Sequence, residues 1–280
     1  MSASTPFSLP GPRGGVLHGL IDLPAGSAEP RPTVVVCHGF KGFMEWGFFP
    51  PLAELLAARG FVVVRFNVSG SGQLPGEDRA SDPEAFRANT HSRERDDLLA
   101  VLEALPEIAP GWVDLDKLGL LGHSRGGANV ILAAAREPWR TRVQALVTWA
   151  AISTVERYTA EQQEAWRREG ELPVVNARTG QKLALGLSFL EDLEQNREAL
   201  DIGRAAAAVR APWLIVHGEN DEGVPVAEAD RLAGRAGSPC EVLRIPGGDH
   251  TFGAKHPFAG PTPALIQALN ATQGWFRRYL

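Results

Sequence analysis

The segment Gly122-His-Ser-Arg-Gly126 sets a serine between two glycines in the pattern G-x-S-x-G. Such a pattern builds a sharp turn from a strand into a helix. The turn strains the serine backbone and lifts its hydroxyl clear of the sheet, where it can attack an acyl carbon. Five residues with three fixed recur by chance, so the flanks matter. Here an apolar run, Leu118-Gly-Leu-Leu, precedes the motif and an Ala-rich stretch, Ala128–Arg136, follows it. Ser124 is therefore the candidate nucleophile. The structural alternative is a tight turn whose serine only caps the helix.

A serine hydroxyl needs a base to take its proton. With this kind of turn the acid and then the histidine follow the serine along the chain. The histidines beyond Ser124 are His217, His250 and His256. His250 lies in Pro246-Gly-Gly-Asp-His250, just past an apolar run, and is the candidate base; His256 is the reserve. His217 ends a strand-like run and reads as structural. Asp221, four residues later, is the candidate acid, with Glu219 and Glu222 as nearby competitors. It would fix the imidazole tautomer and stabilise the imidazolium.

The developing oxyanion needs two amide donors. Arg125 follows the nucleophile and supplies one; Phe40, in Cys37-His-Gly-Phe-Lys-Gly42, supplies the other. Gly39 lets that loop come close to the substrate. His38 reads as scaffold rather than metal ligand, because no cluster with ligand spacing surrounds it. Asn67-Val-Ser-Gly-Ser-Gly72 lacks the full dinucleotide pattern, so no nicotinamide site is expected. The acidic run Glu94, Asp96, Asp97 reads as a solvated helix face.

These residues must be held by alternating elements. Short β-rich runs at Gly15–Leu23, Thr33–Cys37, Phe61–Phe66, Lys117–Leu121, Val143–Thr148, Trp213–Val216 and Glu241–Ile245 are predicted strands. Helical patterns at Phe48–Ala58, Glu84–Leu105, Gly126–Arg136, Val226–Ala236 and Ala264–Tyr279 alternate with them, which argues for an α/β fold with a mostly parallel sheet. Unbroken apolar runs such as Phe61-Val-Val-Val64 suit strands covered on both faces. The stretch Ala150–Ala208 breaks the rhythm, is more charged, and is expected to be a cap over the site. Trp149, Tyr158 and Trp166 are candidates for an apolar pocket, and Lys41 and Trp46 for its entrance.

Of 280 residues, 44% are hydrophobic and 22% charged, with a net charge of −5. That balance provides a core and no basic stripe for a nucleic acid. Two cysteines cannot build a disulfide framework, and Cys37 sits in an apolar run as a buried thiol. The first ten residues lack the basic and apolar regions of a secretory signal, and no apolar run approaches the ~18 residues of a membrane span. A cytoplasmic protein with no membrane or nucleic-acid partner and no cofactor is expected. Oligomeric state is left open.

Together, His38-Gly-Phe40, Gly122-His-Ser-Arg-Gly126, His217-Gly-Glu-Asn-Asp221 with Val224-Pro225, and Asp249-His250 resemble the α/β-hydrolase superfamily along the whole chain. The nearest-looking branches are dienelactone-hydrolase-like and cinnamoyl (feruloyl) esterase-like proteins and prolyl-oligopeptidase-type catalytic domains. The resemblance implies one domain over 1–280, an eight-stranded mostly parallel sheet flanked by helices, and a helical cap (150–208) between strands six and seven. It implies cleavage of a small-molecule carboxylic ester through an acyl-enzyme, with peptidase, amidase or thioesterase activity as the alternative on the same triad. A binding protein without turnover is a further alternative. Dienelactone hydrolases proper use a cysteine where this chain has Ser124, so their specific activity is not implied.

Overall fold

Valine-rich runs that cannot face water on either side become the middle of a sheet. The computed structural model describes residues 4–176 and 179–280. Its elements run β1 (Ser4–Pro10), β2 (Val16–Asp22), β3 (Arg31–Cys37), α1 (Phe49–Ala57), β4 (Val62–Asn67), α2 (Pro83–Arg87), α3 (His91–Ile108), β5 (Val113–His123), α4 (Arg125–Ala134), α5 (Trp139–Arg142) and β6 (Val143–Trp149). They continue with α6 (Ala160–Glu169), β7 (Glu171–Val175), β8 (Lys182–Gly186), α7 (Leu187–Gln195), α8 (Ile202–Ala208), β9 (Trp213–Gly218), α9 (Ala227–Ala233), β10 (Cys240–Ile245) and α10 (Pro263–Tyr279).

Eight strands form one sheet in the order β1-β2-β4-β3-β5-β6-β9-β10. The β1–β2 and β2–β4 pairs are antiparallel and the other pairs parallel. Alternate side chains feed two cores. Val35, Val64, Leu120 and Ile215 pack with Leu98, Val101 and Ile131 of α3 and α4 on one face. Val34, Val36, Leu121 and Val216 pack with Leu52, Leu265 and Phe276 of α1 and α10 on the other. The period of two in the strands thus meets helices on both sides, as the apolar runs require.

Order reverses around β3, whose neighbours are β4 on one side and β5 on the other. The loops leaving β3 and β5 therefore diverge from adjacent strand ends, with Cys37 in register beside Gly122. Open α/β sheets bind their ligands at such a switch point.

Three sequence expectations needed correction. β1 was not anticipated: it is a largely exposed edge strand carrying Pro6 and Pro10, which prolines permit only at an edge. The helix expected over Glu84–Leu105 is two helices, because Thr90 caps α3 by accepting the Arg93 N–H at 3.0 Å. The segment expected to be a helical cap is mixed. Between β6 and β9 it carries α6, α7 and α8 together with an antiparallel hairpin, β7–β8, that pairs only with itself. Leu183 and Leu185 of that hairpin join Trp166, Phe189 and Leu190 in a third apolar cluster, which also takes in Phe86 and packs against Phe40. Among the described residues, no helix is long and apolar enough to cross a membrane.

Candidate active site

Ser124 has φ 56° and ψ −119°, a backbone conformation that L-residues seldom adopt. Backbone hydrogen bonds pin it: its N–H donates to the Trp149 carbonyl at 2.8 Å, and its carbonyl accepts from Gly127 N–H at 3.0 Å and from the Ala128 and Ile152 N–H groups at 3.4 Å. A Cβ on Gly122 would run into the Gly126 carbonyl, and one on Gly126 into the carbonyls of Cys37 and His38. The two glycines are thus steric requirements of the turn. Ser124 stands at the N-cap of α4, yet its side chain makes no capping hydrogen bond. The hydroxyl is therefore not engaged in the structural role that was its alternative explanation.

The loops after β9 and β10 bring Asp221 and His250 together. His250 Nδ1 lies 2.7 Å from Asp221 Oδ2, so Nδ1 carries the proton and donates to the carboxylate. That tautomer leaves Nε2 free of a proton and able to accept one. Asp221 is buried, whereas its competitors Glu219 and Glu222 are exposed. Its Oδ1 accepts the N–H groups of Gly223 and Val224 at 2.9 and 2.8 Å. Burial alone would raise the carboxyl pKa. Hydrogen bonds from His217, His250 and Val224 more than offset it and hold the group ionised, below the ordinary carboxylate range.

His38 and the other two histidines beyond Ser124 have other work. His217 Nε2 donates to the Val224 carbonyl at 2.7 Å and sits 3.4 Å from Asp221 Oδ2, tying the acid loop to its strand. His38 Nε2 accepts the Val68 N–H at 3.2 Å, which assigns the proton to Nδ1 for donation to the Gly39 carbonyl at 2.9 Å. Burial keeps this scaffold histidine neutral by lowering its pKa. His256 accepts the Gly47 N–H at 3.1 Å and stacks on Trp46.

Gly39 faces the elbow: a Cβ there would stand 2.9 Å from both the His123 carbonyl and Ser124 Cβ. The loop carrying the Phe40 amide therefore lies directly against the serine. The Arg125 guanidinium lies over the Phe40 ring, 3.9 Å from its centroid.

The pocket candidates separate. Trp149 is fully buried among Phe48 and Phe252 and donates to Thr272 Oγ1 at 2.9 Å, so it belongs to the core. Trp166 is buried too, stacked on Phe189 and donating to the Leu185 carbonyl, so it holds the inserted segment together. Tyr158 packs edge-on against Trp166 and borders a cavity of about 700 Å³ with Ser153, Arg157, Leu190 and Asp201. Lys41 is exposed at φ 61°, with Nζ 3.4 Å from the Val175 carbonyl of β7. Partial desolvation of its ammonium group and the Arg125 charge lower its pKa.

Two acids of the run Glu94, Asp96, Asp97 depart from the expected solvated face. Glu94 and Asp97 are buried rather than solvated. Asp97 accepts the N–H and hydroxyl of Ser69 at 2.7 and 2.8 Å, and burial pushes its pKa up to about 6. Glu94 binds Arg125, next to the serine. Among the described residues, no group of three or more His, Cys, Asp or Glu is placed to hold a metal ion.

A mostly parallel eight-stranded sheet with a strained serine turn at its switch point is the α/β-hydrolase fold. The chain belongs to the prolyl oligopeptidase family, whose model matches residues 46–280. Among curated proteins it is 26% identical over 220 residues to the 2,6-dihydropseudooxynicotine hydrolase of Paenarthrobacter nicotinovorans, covering 76% of this chain and 50% of that one. It is 28% identical over 211 residues to the human serine hydrolase BPHL, covering 71% and 66%. The chain thus spans about half the length of the first of these relatives. Among solved structures, Est1E from Butyrivibrio proteoclasticus with ferulic acid bound superposes with a TM-score of 0.72 at 23% identity, covering 98% of both chains. The acylaminoacyl peptidase of Pyrococcus horikoshii gives 0.72 at 18% identity, with all of this chain matching 42% of that one. Likeness at these identities speaks for the fold alone.

Proposed function

We propose that the protein hydrolyses small carboxylic esters through an acyl-enzyme on Ser124, with His250 as general base and Asp221 as its orienting acid. The observation that carries this reading is the 2.7 Å Asp221–His250 pair, formed 29 residues apart on the loops after neighbouring strands. It leaves His250 Nε2 as the proton acceptor, while the turn after β5 presents a serine hydroxyl with no capping role.

In this reading Ser124 Oγ attacks the carbonyl carbon as its proton passes to His250 Nε2. The π electrons move to the carbonyl oxygen, which the Phe40 and Arg125 amides hold as an oxyanion. Collapse breaks the ester C–O bond, and the alcohol departs with the proton from His250. Water then repeats the sequence: its proton goes to Nε2, its oxygen to the acyl carbon, and Ser124 recovers its proton as the acid leaves. Asp221 stays ionised throughout, stabilising the imidazolium. No step calls for a cofactor.

The segment 150–208 is the cap of this reading. Support comes from Phe189, whose ring centroid lies 5.1 Å from the Arg125 guanidinium, and from the Lys41–Val175 contact. Est1E, which shares the fold, was solved with ferulic acid bound, a carboxylic acid of the kind that ester cleavage releases. The prolyl oligopeptidase membership favours amide cleavage as the second reading. Parallel assays on p-nitrophenyl esters of graded acyl length and on aminoacyl p-nitroanilides separate the two. The ester reading expects kcat/KM at least 100-fold higher on the best ester than on any anilide; a reversed ratio would replace it with a peptidase.

A further inference from the structure

Glu94 is 2% exposed, and two of its three side-chain partners, Arg125 and Asn129, lie on the helix that follows Ser124. Its Oε1 accepts from Arg125 Nη1 at 3.1 Å and from Asn89 Nδ2 at 2.7 Å; its Oε2 accepts from Asn129 Nδ2 at 3.1 Å. Asn129 is on the same helix as Arg125, one turn further along. A buried carboxylate is tolerated only when paired and hydrogen-bonded, and here both oxygens are engaged. The acid thereby fixes the azimuth of the Arg125 side chain.

Held in that way, the guanidinium lies over the Phe40 ring at 3.9 Å and within 5.1 Å of the Phe189 ring centroid. A planar cation on an aromatic face, away from water, is a strong and orientation-dependent contact. Phe86 lies 5.5 Å from the Phe40 ring, centroid to centroid. The ring cannot shift without leaving both neighbours.

Phe40 and Arg125 are also the two residues whose backbone amides face the oxyanion in the reading above. One side chain therefore ties the two donors to each other, across loops from different strands. Oxyanion donors act only if fixed where charge develops, and a misplacement of about 1 Å can lower the rate about 100-fold.

We propose that Glu94 and the Arg125 side chain are positioning residues of the oxyanion hole. Through the Phe40 ring they set the spacing of the Phe40 and Arg125 amides. The inference rests on the serine-hydrolase reading of Ser124 and goes beyond it, since neither side chain touches the reacting atoms.

The test uses the full chain and two changes that preserve both backbone amides. Phe40→Leu removes the ring without altering buried charge. The paired change Glu94→Gln with Arg125→Met removes both charges together, so neither ion is left buried alone. Thermal melts report folding for each. The expected result on the best p-nitrophenyl ester is a kcat about 10- to 100-fold lower in each variant with KM within about twofold. Inhibition by a trifluoromethyl ketone, which mimics the tetrahedral oxyanion, weakens in parallel, while inhibition by the product alcohol does not. Combining all three substitutions costs no more than the worse of the two variants, because both break one linkage.

Folded Phe40→Leu protein with wild-type kcat overturns the inference, as do losses that multiply in the combined variant or fall on KM alone. Wild-type protein that turns over no ester and is not labelled by a fluorophosphonate overturns the underlying reading and this inference with it. Ordinary wild-type turnover beside an undiminished Phe40→Leu variant overturns this inference alone.

Discussion

His123 Nε2 donates a hydrogen bond of 2.9 Å to the backbone carbonyl of His250, so the residue before the candidate nucleophile anchors the loop that carries the candidate base. Their rings lie 4.8 Å apart, centroid to centroid. Burial lowers the His123 pKa to about 3, which keeps the ring neutral and Nε2 protonated as a donor across the working range. His123→Phe retains the aromatic volume beside Phe48 but deletes the donor. A lost hydrogen bond of this kind costs about 1–2 kcal/mol, so kcat on an ester is expected to fall about 10-fold, with KM little changed. Steady-state kinetics check this. The acid limb of the pH–rate profile is expected to stay where it is, because His123 does not titrate there.

Asp221→Asn removes the negative charge that fixes the His250 tautomer. The expected loss in kcat is about 10³- to 10⁴-fold at neutral pH, by analogy with triads in which the acid is made an amide. The same substitution changes acid stability. The Asp221 pKa is depressed on folding, so its stabilising contribution is complete above the unfolded value near 4 and is lost as pH falls through the folded value. Urea unfolding between pH 5 and pH 2.5 is expected to show a shallower decline in the variant than in wild type.

How far the site was legible depended on how local its causes are. Ser124, Gly122 and Gly126 lie within five residues, and the collisions that demand glycine are made largely by the turn and the strand beside it. The candidates Asp221 and His250 each follow an apolar strand run; the structure pairs them, and burial sets Asp221 apart from Glu219 and Glu222. Glu94 and Asp97 were read as solvated because neighbouring charges on a helix usually face water. Their partners, Arg125 and Ser69, come from other segments, and nothing local announces them. Trp149 and Trp166 show the reverse limit: an isolated tryptophan reads the same in sequence whether it lines a pocket or fills a core. The edge strand Ser4–Pro10 and the paired strands Glu171–Val175 and Lys182–Gly186 are hard to read because prolines and exposed positions blur their alternation.

Asp97 offers a test of the buried acid that the sequence concealed. Its pKa rises from 3.8 to about 6 on folding, so the native state holds the proton longer than the unfolded chain does. Stability is therefore expected to fall as pH rises from about 4 to about 6, then level off. Relative to Asp97→Asn, wild type is expected to lose about 2 kcal/mol between pH 4.5 and pH 7. Urea unfolding of both proteins across that range measures it, and parallel pH dependences would contradict it.

Gly39→Ala probes the loop that carries the Phe40 amide. The new methyl meets the His123 carbonyl and Ser124 Cβ at 2.9 Å, and both are backbone-fixed. Relief requires the loop to retreat from the elbow, which moves the Phe40 amide, one of the two proposed oxyanion donors. A fall in kcat of about 10- to 100-fold is expected, with a stability loss of about 1–3 kcal/mol typical of overpacking. Kinetics and thermal melts on the same preparation separate the two effects.

The most direct measurement is the site of covalent labelling by a fluorophosphonate in folded protein, read by peptide mass spectrometry. The account predicts one adduct on the peptide containing Ser124, absent in Ser124→Ala and strongly slowed in His250→Ala. Folded wild-type protein that stays unmodified, or an adduct on a residue other than Ser124, would contradict it.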